Sequence, residues 1–180
     1  MAADLQGRLA AARLFVLDVD GVLTDGRVVY GADAAGETIE VQRFDAKDGL
    51  GLNLVREAGV TIAWITGRGN PATARRAAEL GVEELHMRSR LSKAEVLADM
   101  QARHGIAAEE TIVMGDDLID LSMAPHASML ASPSDAHAAV RERADLVTIA
   151  AGGRGAVREV CDAILVAKGL WDETLARFEG

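Results

Sequence analysis

Short β-branched runs alternate with longer amphipathic stretches along this chain, and that alternation carries most of its structural information. Residues 13–19 (RLFVLDV) form an apolar run closed by Asp20 and Gly21, which predicts a buried strand. The runs 27–31 and 37–44 predict a hairpin, turned over the Gly- and Asp-containing segment 32–36. Leu50, Leu54 and Val55 take helical spacing within 48–58, and Gly59 supplies a stop. A strand over 60–65 follows, then a helix from Pro71 to about Leu80 that Gly81 ends. Further on, the pattern predicts a short strand near Leu85 and a helix over 93–104 capped by Ser92 with help from Glu95. It then predicts a strand over 111–114, a helix over 118–124, a strand over 127–130, a helix over 135–142, a strand over 146–149 and a last helix over 156–168. Repeated β–α units imply an α/β fold with a parallel sheet, right-handed crossovers and helices on both faces. In such a sheet ligands bind beyond the carboxyl ends of the strands.

Composition narrows the picture. A chain of 180 residues, 49% hydrophobic and 26% charged, is expected to form a single domain over 1–180. One cysteine, Cys161, excludes a disulfide framework and a Cys-based zinc site. The formal charge of −9 argues against a nucleic-acid partner, whose phosphates need a basic face. No apolar run approaches the ~20 residues of a membrane helix, and the N-terminus lacks a signal-peptide order, so no membrane partner and a cytoplasmic location are expected. Eighteen glycines against three Phe, two Trp and one Tyr point to tight turns and close backbone approaches.

The expected strand ends carry unusual polar groups. Asp18 and Asp20, two apart in an extended segment, project to one side, where a cation or a proton must offset their repulsion. Hard Mg²⁺ suits such an oxygen-only site, although a lone Asp-x-Asp also fits a pair of solvated loop acids. Thr66-Gly67-Arg68 closes a second strand, offering a hydroxyl and free N–H groups to an anion. Lys93 opens a helix, the unfavourable end for a cation, which suggests an anionic partner nearby. Asp116, Asp117 and Asp120 follow a third strand; capping of the next helix accounts for one of these acids and not for all three.

The order Asp-x-Asp-Gly-Val-x-Thr, Thr-Gly-Arg, Lys, Gly-Asp-Asp-x-x-Asp resembles the four motifs of the haloacid dehalogenase superfamily of phosphatases. Residues 18–26, the hairpin at about 27–44, Lys47-Asp48-Gly49, residues 115–120 and the stretch 152–160 (GGRGAVREV) look like the 3-deoxy-D-manno-octulosonate 8-phosphate phosphatases within it. The resemblance implies a Rossmann-like fold with the hairpin in place of a cap domain, and hydrolysis of a sugar-acid phosphate through an aspartyl-phosphate. It implies Asp18 as nucleophile, Asp20 as acid and base, and Thr66 and Lys93 on the phosphoryl oxygens. Mg²⁺ is expected on Asp18, the Asp20 carbonyl and Asp116, with Asp117 and Asp120 holding Lys93 or metal-bound water. Lys47, Asp48, Gly49, Arg68 and Arg76 are expected to contact substrate. A homotetramer built through apolar hairpins is implied as well.

Several positions depart from the family pattern. Lys47 stands where Arg is usual, Asp45 where Asn is usual, and Asn53 where Arg is frequent. The stretch 86–92 lacks the Gln-Gly that often precedes the lysine. These departures leave nine-carbon, sialic-acid-type 9-phosphates open as substrates. A receiver-like domain and a non-catalytic oligomeric scaffold are the alternatives of another class. The segment 170–180, with Leu170, Trp171 and Phe178, reads either as a lid or as a docked terminus.

Overall fold

Apolar side chains on both sides of residues 14–17 place that segment at the centre of the molecule, and the rest of the chain is arranged around it. The computed structural model describes residues 2–179; the expected ends of the domain, Met1 and Gly180, lie outside the described residues. Helix α1 (Ala2–Ala11) precedes strand β1 (Leu14–Leu17), and the hairpin β2 (Val29–Ala32) and β3 (Thr38–Val41) follows. Next come α2 (Ala46–Glu57), β4 (Thr61–Thr66), α3 (Pro71–Glu79), β5 (Glu84–Met87) and α4 (Lys93–His104). The remainder comprises β6 (Thr111–Met114), β7 (Met129–Ser132), α5 (Ala138–Arg141), β8 (Leu146–Val147), α6 (Ala156–Ala167) and α7 (Trp171–Glu179). Six strands form one parallel sheet in the order β5-β4-β1-β6-β7-β8, and the hairpin is a separate two-stranded sheet.

Alternate residues of each strand face opposite sides of the sheet. Phe15, Leu17, Ile62, Trp64, Ile112 and Met114 therefore join one core layer, with residues of α2 and α6. Leu14, Val16, Ala63, Ile65, Val113 and Leu130 join the other, with residues of α4. Each fully buried large side chain contributes about 1.5–3 kcal/mol, so these layers hold the register. In that register Leu17 lies opposite both Trp64 and Met114. Asp18, Thr66 and Asp116, a residue or two beyond, consequently emerge at one edge of the sheet. The chain runs outward from β1 through β4 to β5 and then returns to β6 on β1's other side, which makes this edge a topological switch point.

Helices α2 and α6 pack closely because Gly51 has no side chain; a Cβ there would stand 2.9 Å from Arg158 Cδ. Asp48 ties the same pair. Its carboxylate accepts from the backbone N–H groups of Gly155 (3.3 Å) and Arg158 (2.8 Å), and so caps α6, whose own N-cap is the side-chain-free Gly155. Asp48 is only 1% exposed, and its carboxylate is engaged by the start of α6.

Three local expectations differ from the structure, and one helix has no counterpart among them. Residues 118–126 form two 3₁₀ turns, not a helix, because the Asp120 carboxylate turns back to the N–H groups of Asp116 and Asp117 and because Pro125 cannot continue a helix. The helix expected over 135–142 shortens to α5, since the Asp135 carboxylate accepts from Gly152 N and His137 caps Ala139. Strand β8 stops at Val147, as the N–H groups of Ile149 and Ala150 donate to the Glu159 carboxylate and not to a strand. Helix α1 was not anticipated. The segment from 171 forms α7, with Thr174 buried, Leu170 and Trp171 against the core, and Arg177 2.9 Å from Glu57 on α2: a docked terminus. No helix among the described residues is long and apolar enough to cross a membrane.

Burial raises the pKa of Asp48 to about 6, against the opposing pull of the N–H groups it accepts from. A pKa raised on folding means that the group's stabilising contribution is full below about pH 4 and declines as pH rises through about 6. Asp48→Ala is expected to destabilise the fold by about 1–3 kcal/mol through the unsatisfied N–H groups. Thermal melts should show a wider gap between wild type and variant near pH 4.5 than near pH 7.5.

Candidate active site

The carboxyl edge of β1, β4 and β6 gathers five acids and one lysine. Asp18 follows β1 directly, with its N–H donating to Met114 O at 3.0 Å, and it is buried. Lys93 is the first residue of α4, which Ser92 and Glu95 start with a reciprocal capping box. Its ammonium donates to Asp18 Oδ1 and, at 2.6 Å, to Asp120 Oδ1. The other oxygen of Asp120 accepts from the backbone N–H groups of Asp116 (2.9 Å) and Asp117 (3.1 Å). One buried carboxylate therefore orients both the lysine and the loop carrying Asp116. Gly115 makes that approach possible, because a Cβ there would lie 2.2 Å from the Cβ of Asp120.

Asp20 is held differently. Thr66 Oγ1 donates to its Oδ2 at 2.8 Å, Gln42 Nε2 donates to its Oδ1 at 3.1 Å, and Arg68 Nε stands 3.9 Å away. Gln42 in turn accepts from Thr73 Oγ1 at 2.6 Å, so the residue after β3 bridges Asp20 and α3. The loop after β1 is braced by Thr24, whose hydroxyl donates to Val19 O and accepts from Gly21 N. The segment before α6 packs beneath this loop, so tightly that a Cβ on Gly152 would stand 1.8 Å from Gly21 O.

Oxygens of Asp18, Asp116 and Asp120 lie within 4.8 Å of one another. Burial raises the pKa of Asp18, with Lys93 opposing and Asp120 adding to the rise. Burial and the neighbouring carboxylates Asp18, Asp120 and Asp117 push Asp116 up to about 8. Fully ionised, the three carboxylates against one ammonium would carry an excess of two negative charges, which a proton or a cation must offset. Asp116 Oδ1 is buried and has no hydrogen-bond partner. Gly21 opens a cradle beside it that a Cβ would fill, 2.1 Å from Asp116 Oδ2. An all-oxygen donor set with an excess negative charge and an unused oxygen fits Mg²⁺.

These groups line a cavity of about 280 Å³ that includes Asp18, Asp20, Thr66, Arg68, Asp116 and Asp117. A cavity of about 360 Å³ beside it has Thr66 and Lys93 on its wall together with the apolar Leu91 and Ile119. Thus Asp18, Asp20, Thr66, Lys93, Arg68, Asp116, Asp117 and Asp120 are brought together as the motif order suggested. Lys47, Gly49 and Arg76 line neither cavity. Lys47 is exposed on the first turn of α2, while Arg76 lies over Gly49 and pairs with Glu79 at 3.5 Å. Gln42 escaped the sequence reading; nothing in its spacing marks a residue that reaches Asp20 across 22 positions.

The chain matches the haloacid dehalogenase-like hydrolase family over residues 83–159. It is 39% identical to the 3-deoxy-D-manno-octulosonate 8-phosphate phosphatase of Escherichia coli K12, over 96% of this chain and 89% of that protein. Among solved structures it superposes on the phosphatase of that name from Moraxella catarrhalis, in complex with magnesium, phosphate and KDO, with a TM-score of 0.92, 33% identity, and coverage of 99% and 100% of the two chains. The cobalt-bound deoxy-D-mannose-octulosonate 8-phosphate phosphatase of Haemophilus influenzae superposes with a TM-score of 0.83 and 35% identity, over 91% of this chain and 93% of that one. With its acids, its lysine and its hairpin in the arrangement just described, this chain belongs to the haloacid dehalogenase-like hydrolases and, within them, to the family of the 3-deoxy-D-manno-octulosonate 8-phosphate phosphatases.

Proposed function

We propose that the protein hydrolyses 3-deoxy-D-manno-octulosonate 8-phosphate in the cytoplasm, through an aspartyl-phosphate on Asp18. The convergence of Asp18, Asp116, Asp120 and Lys93 at one sheet edge carries this reading, and relatives sharing 39% identity bear the name of that activity. Those names favour the eight-carbon substrate over the nine-carbon alternative.

Asp18 attacks phosphorus as the bond to the sugar oxygen breaks, and the leaving alkoxide takes a proton from Asp20. Asp20 then removes a proton from water, which attacks the phosphoryl group, releases inorganic phosphate and restores Asp18. Thr66 and Gln42 hold Asp20 from both of its oxygens, so that its proton is delivered from one orientation. Lys93, kept at the site by Asp120, neutralises phosphoryl oxygen as the charge of Asp18 is spent on the new bond. Asp18, the Asp20 carbonyl and Asp116 would hold Mg²⁺, which when bound supplies the positive charge that lets an anionic phosphate approach a carboxylate.

Asp18→Asn is expected to lower kcat by at least about a thousandfold while the melting temperature stays within a few degrees. Phosphate release by that variant at the wild-type rate would refute the mechanism. Phosphate release by the wild type without Mg²⁺ would refute the metal's part in it. Gly21→Ala places a side chain against Asp116 at a backbone φ of +107, and calorimetric titration should show Mg²⁺ affinity falling by about 10–100-fold.

The hairpin supports a homotetramer. Val28, Val29, Tyr30, Ile39 and Val41 are exposed on it, and a two-stranded sheet left alone in water is marginal. Further copies of this chain are the occupant that covers it. Val29 and Val41 are register partners, so the double variant Val29→Asp, Val41→Asp plants like charges on the apolar face. Sedimentation is expected to show a tetramer for wild type and monomers for the variant. A monomeric wild type would overturn the assembly.

A further inference from the structure

Next to the acid cavity is another of about 340 Å³, lined by Tyr30, Glu40, Gly67, Arg68, Gly69 and Arg88. The two share Gly67 and Arg68, so a molecule with its phosphate at Asp18 can extend from one into the other. Charge in the outer cavity is of the opposite sign to that of the protein as a whole. Arg68 donates to Glu40 at 2.8 Å. Arg88 forms no ion pair and no side-chain hydrogen bond among the described residues, and Glu40 is the acid that lines the cavity with it. Two guanidiniums thus face one carboxylate in a chain whose formal charge is −9.

The backbone at Arg88 takes a conformation that residues with a side chain rarely adopt. It is the one non-glycine residue with positive φ (51°) among the described residues. That conformation costs about 1–2 kcal/mol for a residue with a Cβ, and glycine would avoid the cost. The turn is held by the Arg88 N–H donating to Thr66 O at 3.0 Å. It lays the arginine across Gly69, where a Cβ would meet Nε at 2.3 Å. Strain retained beside a reaction site is where a specific side chain is worth its cost.

We propose that Arg88, together with Arg68, recognises the carboxylate of the sugar acid and so selects the substrate; this rests on the sugar-acid reading above. In an octulosonate 8-phosphate the carboxylate and the phosphate lie at opposite ends of the carbon chain, matching two adjoining cavities of which one fits metal and phosphate. A guanidinium pairs with carboxylate through parallel N–H groups, and Arg88 is the arginine here with no acid already bound to it. Glu40 holds Arg68 in place, leaving Arg88 to supply the unspent charge. The Gln-Gly absent from residues 86–92 is replaced by a cation at this turn.

The test compares the Mg²⁺-loaded enzyme on 3-deoxy-D-manno-octulosonate 8-phosphate and on ribose 5-phosphate, which has no carboxylate. Arg88→Gly removes the side chain and relieves the positive φ, so loss of folding does not confound it; Arg88→Lys keeps the charge without the fork. For the sugar acid, Arg88→Gly is expected to raise KM about 10–100-fold with kcat within about twofold, and Arg88→Lys to fall between. For ribose 5-phosphate, kcat/KM should stay within about twofold in both variants. An unchanged KM for the sugar acid, or an equal loss on both substrates, overturns the assignment of Arg88. A wild type that prefers ribose 5-phosphate, or neither, overturns the sugar-acid reading and this assignment with it.

Discussion

The ammonium of Lys93, held between the carboxylates of Asp18 and Asp120, is the contact on which the carboxyl edge of the sheet depends. Lys93 is 9% exposed, and an ion that deeply placed would lose several kcal/mol of hydration if it stood alone. Burial works to lower its pKa, yet Asp18 and Asp120 outweigh burial and raise it. The helix dipole opposes a cation at the start of α4 by about 0.3–1 kcal/mol, a smaller effect than either carboxylate at contact distance. The capping box of Ser92 and Glu95 starts α4 at the residue that delivers Lys93 to the acids.

From this contact the remaining geometry follows. Asp120 reaches Lys93 with one oxygen and the N–H groups of Asp116 and Asp117 with the other, so the 3₁₀ turn after β6 and the position of Asp116 are set together. One ammonium does not balance three carboxylates, and the raised pKa of Asp116 reflects that excess. The same excess accommodates a divalent cation, and the cation in turn makes room for a phosphate. An acidic protein can therefore act on an anion: positive charge is required only locally, and Lys93, Arg68 and Arg88 stand around the paired cavities.

Much of this was legible in the chain. The apolar runs ending at Asp18, Thr66 and Asp116 marked strand ends, and parallel β–α order placed those ends on one side. Ser92 and Glu95 announced the start of α4. Other features were illegible because their causes are distant in sequence. The 135–142 segment reads as helical by periodicity, yet the Asp135 side chain serves Gly152 N. Asp48 looks like a loop acid beside Gly49, yet it caps a helix 107 residues later. Gln42 is one polar residue on a hairpin until Asp20 is seen beside it.

By itself, then, the sequence determined which residues stand at the ends of buried strands and which chemical types are offered there, because hydrophobic periodicity and short capping motifs act over a few positions. Tertiary structure decided which of those charges share one volume. The pairing of Lys93 with Asp120, the withdrawal of Asp48 from the surface and the position of Arg88 beside Arg68 are through-space facts. Coulomb energies and hydrogen bonds depend on distances of a few ångströms, and those are fixed only when the sheet register and the packing of α2, α4 and α6 bring separate segments together.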